Sequence, residues 1–384
     1  MNILVFEFSA AYILKDVMET FREMGHATTI CKENLQQNCY EDDVCEQRLK
    51  NNIKKGKFDF VFTVNYYPIL SRACYQANIL YVSWQYDSPP NLSRNDTLEY
   101  STNRIFFFSK YDLVFYQQLG IEHVYYLPLA ANWRRFLSVQ ANDSMYGADV
   151  ALVGKLYPSI LPELMSIMSE EQKIYLDTVI QKQLRVHGAE IIDLSVTDAF
   201  AEQVCKHYRT LSDKAIQPSK PELFYACCTQ VTHLERLLLL RLASKVGRTA
   251  LYAPPLEESE KSALVDIEMR GTVDYLSEMP SVFKSTKINL NPTLRANRTA
   301  IPLRALDIMA CSAFMLTSAQ DEYEDFFVRN KEYVAYDTLE EAVDLMRFYL
   351  THDSKREEIA VASFQKVQNQ FNYSDRIKTI VEKL

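Results

Sequence analysis

The segment 293–312 carries the densest group of charged side chains that could bind a ligand. It holds three arginines and one aspartate over a predicted loop and the first turns of a predicted helix: Arg295, Arg298, Arg304 and Asp307. Guanidinium groups beside a helix N-terminus bind anions, and a diphosphate suits such a site. Asp307, one turn into the helix, would accept hydrogen bonds from ribose hydroxyls. Because Arg304 and Asp307 are three residues apart, a surface helix with one ion pair explains the same pattern.

A carboxylate follows the fourth predicted strand. Asp87 stands after Trp84 and Tyr86, where it would act as a general base or orient a sugar hydroxyl. The sequence Asp-Ser-Pro also caps turns, which is the structural alternative. Ser9 and Asn65 follow the first and third predicted strands. Ligands of open α/β sheets bind beyond the carboxyl ends of strands. Ser9, Asn65, Trp84 and Tyr86 are therefore candidate ligand contacts, which the family resemblance given below places on the acceptor side.

A second possible phosphate site lies at the end of the strand predicted over residues 149–155. This strand closes with Gly154 and Lys155, and a helix is predicted over residues 157–168. Backbone amides at a helix start and an ammonium group can both face a phosphate. Gly154 and Lys155 by themselves do not distinguish a phosphate site from an ordinary turn.

The elements that must position these residues follow an alternating pattern. Short apolar runs alternate with helical periodicity, which is typical of βαβ units around a parallel sheet. Six strands are predicted in the first part, at residues 3–6, 27–31, 58–64, 79–84, 104–109 and 123–127. After a polar linker at 138–147 and the strand at 149–155, the chain is mostly helical over 166–244. Strands return at 249–253, 271–275 and 287–292.

Composition limits the class of protein. The chain has 384 residues, a formal charge of −8 and only 8 glycines, and it contains no glycine-rich nucleotide fingerprint. An acidic balance disfavours nucleic acid as a partner. The eight cysteines are scattered without a CxxC pair, and the histidines lack metal-ligand spacing. With no run of 18 apolar residues and no secretion signal, we predict a soluble, cytoplasmic protein without integral membrane contact.

Several blocks, in order along nearly the whole chain, resemble one known family. They are residues 82–89, 125–132, 151–157, 288–291, 301–311 and 314–317, with closing helices after 349. These blocks are similar to the spore-maturation (CgeB-like) glycosyltransferases, which share the group 1 glycosyltransferase C-terminal domain. The resemblance implies an α/β protein of the GT-B fold, with two Rossmann-like domains facing across a cleft. It implies an acceptor domain at 1–140, a nucleotide-sugar domain at 147–365, and a C-terminal helix at 366–384 that packs back on the first domain.

The resemblance also implies what the candidate residues do. A nucleotide-sugar would serve as co-substrate, with no cofactor and no metal, and its sugar would go to a hydroxyl of a saccharide or of a protein Ser/Thr. Asp87 and Arg304 would act in catalysis, with Arg298 and Lys155 also stabilising the leaving diphosphate. The full set expected to bind the donor is Gly154, Lys155, Tyr275, Asn291, Arg295, Arg298, Ala300, Ile301 and Asp307.

The chain departs from the family pattern at several positions. Relatives often have glycine where Ala300 and Ser312 stand, and Thr299 replaces the first glutamate of a common Glu-x7-Glu motif that here ends at Asp307. A catalytically weakened copy would show such changes. Two alternatives therefore stand beside the enzyme: a non-catalytic protein that binds nucleotide-sugars or glycans, and a nucleotide-sugar epimerase.

Overall fold

The computed structural model describes residues 1–8, 11–90 and 92–384. The predicted acceptor-side residue Ser9 lies outside the described residues. Twelve strands form in the described part: β1 (Asn2–Glu7), β2 (Ala27–Lys32), β3 (Phe60–Val64), β4 (Leu80–Trp84), β5 (Asn103–Phe107), β6 (Val124–Tyr126), β7 (Ala148–Val153), β8 (Thr249–Tyr252), β9 (Glu268–Met269), β10 (Thr286–Asn291), β11 (Met315–Ser318) and β12 (Val334–Tyr336).

Helices connect these strands. The described residues form α1 (Leu14–Glu23), α2 (Asp43–Lys54), α3 (Pro68–Ala77), α4 (Lys110–Gln118), α5 (Trp133–Ser138), α6 (Asp143–Tyr146), α7 (Leu161–Ser166), α8 (Glu170–Arg185), α9 (Ile191–Ser195), α10 (Asp198–Leu211), α11 (Lys220–Ala243), α12 (Glu258–Ala263), α13 (Met279–Ser285), α14 (Leu303–Ala310), α15 (Leu339–Leu350), α16 (Asp353–Gln370) and α17 (Tyr373–Val381). A short 3-10 helix covers Asp321–Tyr323.

The first compact unit comprises residues 1–138, 299–310 and 365–384. Its sheet has the strand order β2-β1-β3-β4-β5-β6, and every neighbouring pair is parallel. Successive residues of the central strands, such as Val61 and Phe62, are fully buried, as expected when helices cover both faces of a parallel sheet. The closing helix α17 packs against α1, and Arg376 donates a hydrogen bond to the Pro128 carbonyl at 2.7 Å.

The second compact unit comprises residues 139–298 and 311–364. Its six strands are also parallel, in the order β12-β11-β10-β7-β8-β9. Between β7 and β8 the chain forms five helices, α7 to α11, which enclose an apolar core of their own. The longest of them, α11, begins with a capping box in which Ser219 and Glu222 satisfy each other's backbone amides.

Most predicted elements are present, and two are placed differently. The six strands of the first part are confirmed. The strand predicted at 271–275 is wrong, because β9 ends at Met269 and Gly271 turns the chain with a φ of 70°. The helix predicted from residue 157 begins only at Leu161, since Tyr157 has a φ of 57° and cannot start a helix.

Candidate functional site

The carboxyl edge of the first sheet brings two predicted residues together. Asn65 follows β3 and Asp87 follows the neighbouring strand β4, and the Asn65 amide donates a hydrogen bond of 2.7 Å to Asp87 Oδ2. The Asn65 carbonyl oxygen Oδ1 accepts from the Tyr86 amide, also at 2.7 Å. Asn65 itself has a φ of 60°, a left-handed conformation that asparagine tolerates better than most residues. One side chain thus fixes the loop and orients the carboxylate.

The environment of Asp87 changes its acidity. Desolvation by the surrounding protein raises the pKa of Asp87 above its ordinary value, and the hydrogen bond from Asn65 works in the opposite direction. The side chain is still exposed to solvent. A carboxylate with a raised pKa is a stronger base than an ordinary surface aspartate, which suits proton transfer from a hydroxyl.

Trp84 supports this edge from below and does not line it. Its side chain is fully buried, its indole N–H donates to the Leu127 carbonyl at 3.2 Å, and its ring packs edge-on against Tyr86 and Tyr373. The structure therefore places Trp84 in the core beneath this edge, and its predicted acceptor contact stays a prediction. Tyr86 is half-buried and remains at the edge.

In the second unit, the loop after β7 presents a cation. We call residues 154–160 the β7 loop. Gly154 has a φ of 148°, which favours glycine, and the next residue, Lys155, is exposed. Its ammonium has no hydrogen-bond or ion-pair partner among residues 1–8, 11–90 and 92–384. Because β10 pairs with β7, the loop after β10 leaves the same edge of the sheet.

Arg295 lies in that neighbouring loop, which we call the β10 loop (residues 292–298), and its guanidinium is buried in an ionic cluster. It donates to Glu235 Oε2 and to the Val186 carbonyl, both at 2.9 Å. His187 and Tyr336 hydrogen-bond the other Glu235 oxygen, at 2.8 and 3.0 Å. Complete burial by itself would raise the pKa of Glu235, but Arg295 and His187 more than offset this, so the pKa is lowered.

Arg298 is also tied to the protein. Both ends of its guanidinium pair with the Asp193 carboxylate, with an Nη2–Oδ1 distance of 2.6 Å, and it lies over the Phe224 ring. Such two-point pairing fixes the arginine in one orientation. In the structure, Arg295 and Arg298 both attach the β10 loop to helices of their own unit.

The remaining cationic candidate of the Arg-rich segment belongs to the first unit. Arg304, at 32% side-chain exposure, donates to Asp307 Oδ2 at 3.2 Å, so the ion pair considered as the structural alternative is present. Asp307 is only 1% exposed. The predicted ribose contact of Asp307 stays a prediction, and the structure shows its carboxylate accepting from Arg304. Ala300 and Ile301 are buried as well.

Two further donor candidates are structural in this conformation. Asn291 ends β10, is buried, and donates from its side chain to the Thr317 hydroxyl at 3.0 Å. Thr317 in turn donates to the Asn291 carbonyl, which ties β10 to β11. Tyr275, another residue expected to bind the donor, is also buried.

The residues that sequence reasoning missed lie on α11. Glu235 and Arg236 are charged, yet both are buried in the middle of this helix. The sequence signal is that this charged pair directly precedes the apolar run 237–240 in the segment predicted to be mostly helical. Charged residues in such a position need partners, and this requirement could have indicated them.

The structure was also searched for cavities, metal-binding groups and membrane-spanning helices. A cavity of about 840 Å³ in the second unit is lined by Ala148 and Thr286, the first residues of β7 and β10, so it lies at the opposite edge of that sheet. Within the described ranges, no three His, Cys, Asp or Glu side chains form a group that could hold a metal ion. No helix of the described chain is both long and apolar enough to cross a membrane.

The chain is similar to known proteins in sequence and in fold. Residues 235–382 match a family model described as glycosyl transferase-like, and the fold is shared with solved glycosyltransferases. The fold is GT-B. The predictions of this fold and of a glycosyltransferase are both confirmed, and the resemblance is supported at the level of the group 1 enzymes. A search of curated protein sequences finds no match.

Three solved structures illustrate the likeness. Anabaena Alr3699/HepE, solved with UDP and glucose, has a TM-score of 0.62 at 8% identity, covering 100% of this chain and 98% of that one. Sucrose-phosphate synthase from Thermosynechococcus elongatus has a TM-score of 0.60 at 8% identity, with 100% and 98% covered. A glycosyltransferase from Rickettsia africae has a TM-score of 0.59 at 10% identity, with 99% and 97% covered. At such identities the likeness concerns the fold.

Proposed function

We propose that this glycosyltransferase moves a sugar from a nucleotide-sugar donor to a hydroxyl of a saccharide or of a protein Ser/Thr. In this reaction the bond between the sugar and the diphosphate breaks, and a bond to the acceptor oxygen forms. The enzyme must therefore stabilise charge that develops on the departing diphosphate. It must also orient the acceptor hydroxyl and receive its proton.

The observation that carries the donor side is the exposed ammonium of Lys155. It lies beyond the carboxyl end of β7, the edge at which open α/β sheets bind ligands. A preorganised positive charge that faces the diphosphate stabilises the transition state more than the ground state, because the negative charge grows as the bond breaks. The HepE structure with UDP and glucose supports a nucleotide-sugar as the donor.

The acceptor side is assigned to Asp87. Its carboxylate is exposed, held by Asn65, and its pKa is raised by desolvation. We assign to it the hydrogen bond from the acceptor hydroxyl and the proton released when the new bond forms. A saccharide or a protein side chain meets this requirement equally well, since both supply a hydroxyl.

Arg304 is the second cation that we assign to the reaction. A third of its side chain is exposed, so its guanidinium can pair with a phosphate oxygen while keeping Asp307 as a partner. In this proposal the cationic side chains neutralise the diphosphate, and the reaction uses neither a metal nor a cofactor. Replacement of Arg304 by alanine should slow turnover severely without unfolding the chain, and unchanged turnover would remove it from the site.

Two finer assignments go with this proposal. The sequence blocks at 82–89 and 301–311 support the spore-maturation branch of the group 1 enzymes. The eight cysteines all carry free thiols, which fits a reducing compartment and supports the cytoplasm as the location. No nucleic acid partner is proposed, because the net charge of −8 disfavours phosphate backbones.

A panel of nucleoside diphosphates tests the donor site. UDP, GDP, dTDP, CDP and ADP, with their common sugar conjugates, would be added to the protein without metal, and the melting temperature would be measured. We expect one base to raise it by several degrees. Release of that nucleoside diphosphate in the presence of acceptors then measures turnover.

Lys155→Ala is the decisive variant. We expect kcat/KM to fall about 100-fold, as for other losses of a charge-stabilising donor. Lys182→Ala is the matched control, because Lys182 is an exposed lysine of the same unit on α8 and should leave both readings unchanged. If no nucleotide at millimolar concentration shifts the melting temperature of the wild type, the proposed donor site is wrong.

A further inference from the structure

Arg236 is a buried arginine that the proposed reaction does not use. It is 9% exposed, and its guanidinium donates to two backbone carbonyls from different loops. One is the Lys155 carbonyl in the β7 loop, and the other is the Pro292 carbonyl in the β10 loop. The guanidinium also lies 4.8 Å from the centre of the Tyr157 ring. A single side chain therefore joins the two loops that leave the carboxyl edge of the second sheet.

Other residues of the same helix hold the same two loops. His233 hydrogen-bonds the Leu156 carbonyl at 3.1 Å, one residue beyond Lys155. Thr232 accepts a hydrogen bond of 3.0 Å from the Arg295 backbone amide, and Glu235 binds the Arg295 guanidinium. We call these α11 residues, together with Arg236, the α11 clamp. It contacts both loops through their backbones, so it sets where the loops lie.

The unusual backbone of the β7 loop shows why such a clamp is needed. Tyr157 has a φ of 57°, a conformation that is sparsely populated by residues other than glycine, and Gly154 on the other side of Lys155 has a φ of 148°, which favours glycine. Strained backbone persists only where its surroundings hold it in place. A Cβ atom at position 154 would lie 3.4 Å from Arg236 Nη1, so the guanidinium packs directly against this turn.

Building on the proposed function, we propose that Arg236 is a positioning residue of the donor site, which places the Lys155 ammonium for the diphosphate by holding the Lys155 and Pro292 carbonyls. Its side chain acts through the backbone and does not touch the donor. An arginine suits this task because its planar fork directs several N–H groups in fixed directions. A lysine at position 236 keeps the charge but cannot hold two separate carbonyls in the same geometry.

A double-mutant cycle tests this inference. Wild type, Arg236→Lys, Lys155→Ala and the double variant would be compared in the dissociation constant for UDP, or for the diphosphate that binds most tightly in the panel, measured by calorimetry. We expect Arg236→Lys to weaken binding about tenfold. The double variant should bind no more weakly than Lys155→Ala alone, because a positioning residue loses its effect when the residue it positions is gone.

Arg356→Lys is the matched control. Arg356 is a buried arginine of the same unit that donates to the Tyr349 carbonyl and to Asp353, and it lines the cavity at the opposite edge of the sheet. Its substitution should lower the melting temperature as Arg236→Lys does, but should leave the dissociation constant unchanged. This separates a loss of position from a general loss of stability.

The outcomes that overturn the inference are distinct. Additive losses in the double variant would mean that Arg236 contacts the diphosphate itself. Unchanged binding in Arg236→Lys would mean that Lys155 needs no such support. A wild type that binds no nucleotide would remove the donor site, and with it both proposals, whereas unchanged binding in the variant removes only the positioning role.

A second variant covers the case in which Arg236→Lys does not fold. His233→Ala removes the hydrogen bond to the Leu156 carbonyl from the half-buried side of the clamp. We expect binding of the same nucleotide to weaken a few-fold in this variant, again with no further loss when Lys155→Ala is added. Full binding by a folded His233→Ala protein would contradict the role of the clamp.

Discussion

The carboxyl edges of the two sheets hold their key side chains by different means. In the first unit, the Asp87 carboxylate is held by the side-chain amide of Asn65. In the second unit, the ammonium of Lys155 has no described partner, and α11 fixes the backbone that carries it. One edge orients a functional group directly, and the other orients the chain around it.

This difference follows from the chemistry of the two groups. A carboxylate that exchanges protons needs a neighbour that sets its pKa, because its charge changes near working conditions. The role proposed for Lys155 is to supply a positive charge beside the diphosphate, so the location of its ammonium matters most. Direct contacts would engage the ammonium before the ligand arrives, whereas backbone contacts leave it available. The four predictions that follow test the two edges, from the largest expected effect to the smallest.

The largest expected effect is a loss of stability on changing Glu235, the α11 clamp residue that pairs with Arg295 of the β10 loop. Glu235→Gln leaves the Arg295 guanidinium buried without its carboxylate, and loss of one partner of a buried pair costs about 3–5 kcal/mol. We expect the free energy of unfolding, measured in urea by far-UV circular dichroism, to fall by this amount. Glu258→Gln is the control, because Glu258 pairs with Lys261 at the surface and should change stability little.

The loss of stability in Glu235→Gln should also depend on pH, in a direction that the pKa of Glu235 determines. The pKa of Glu235 is lowered in the folded protein, so its contribution to stability is present above its unfolded pKa of 4.5 and is lost as the pH falls below that value. The difference between wild type and Glu235→Gln should therefore be largest at neutral pH and shrink below pH 4.5. A difference that grows in acid would show that Glu235 is not held ionised by Arg295.

The next largest effect is expected on kcat, from a change of Asp87 at the carboxyl edge of the first sheet. Asp87→Asn keeps the size of the side chain but cannot receive a proton, so we expect kcat to fall about 100-fold. The donor KM should change little, since Asp87 is proposed to bind the acceptor hydroxyl and not the donor. Asp96→Asn, an exposed aspartate of the same unit paired with Arg94, should retain full activity. A fully active Asp87→Asn enzyme would end the proposed role of Asp87.

The sequence predicted the fold better than it predicted the partners of the charged side chains. The apolar runs at 3–6, 58–64 and 79–84 became central strands because a strand covered on both faces needs a nearly continuous apolar run. Strand ends follow directly from such runs, so the meeting of Asn65 and Asp87 followed from topology. Their hydrogen bond itself depends on the left-handed backbone of Asn65, for which the sequence held no clear signal.

The Arg-rich segment shows why the rest could not be predicted. Arg295 and Arg298 look available in a one-dimensional pattern, but their partners Glu235 and Asp193 are 60 and 105 residues away in the chain. Pairing over such distances is decided by how the helices between β7 and β8 pack. Composition and spacing give the number of cations near a strand end, and only the packed structure shows which of them are already neutralised.

A smaller effect is expected on the pH profile of the first edge. Asn65→Gly removes the amide that lowers the pKa of Asp87, while glycine accepts the φ of 60°. Activity falls as the pH drops through this pKa, so the acidic limb of kcat should move to higher pH, by up to about one unit for one hydrogen bond. Asn78→Gly is the control, because Asn78 has the same backbone conformation at the end of α3. The acidic limb of the kcat profile should not shift in Asn78→Gly. An unshifted limb in Asn65→Gly would contradict the proposal that Asn65 lowers the pKa of Asp87.

The smallest effect compares two left-handed residues, one in each unit. Ser312 has a φ of 52°, and its hydroxyl makes a long hydrogen bond of 3.5 Å to the Ala360 carbonyl, whereas the Asn65 side chain makes two hydrogen bonds of 2.7 Å. Ser312→Gly should therefore raise the free energy of unfolding by up to about 1 kcal/mol, because it removes a strained conformation and loses little bonding. Ser312→Ala keeps the strain and should not stabilise the protein, which makes it the control.

The same variant bears on the departure of Ser312 from the glycine found in relatives. Ser312 belongs to the second unit and lines the cavity at the start of its strands, away from Lys155. If Ser312→Gly stabilises the chain and leaves kcat and the donor KM unchanged, the serine affects only stability, and this departure is no sign of a weakened enzyme. A rise in kcat would instead show that the backbone at position 312 is coupled to the carboxyl edge that carries Lys155. Residue 312 would then belong, with α11, to the parts of the second unit that position this edge.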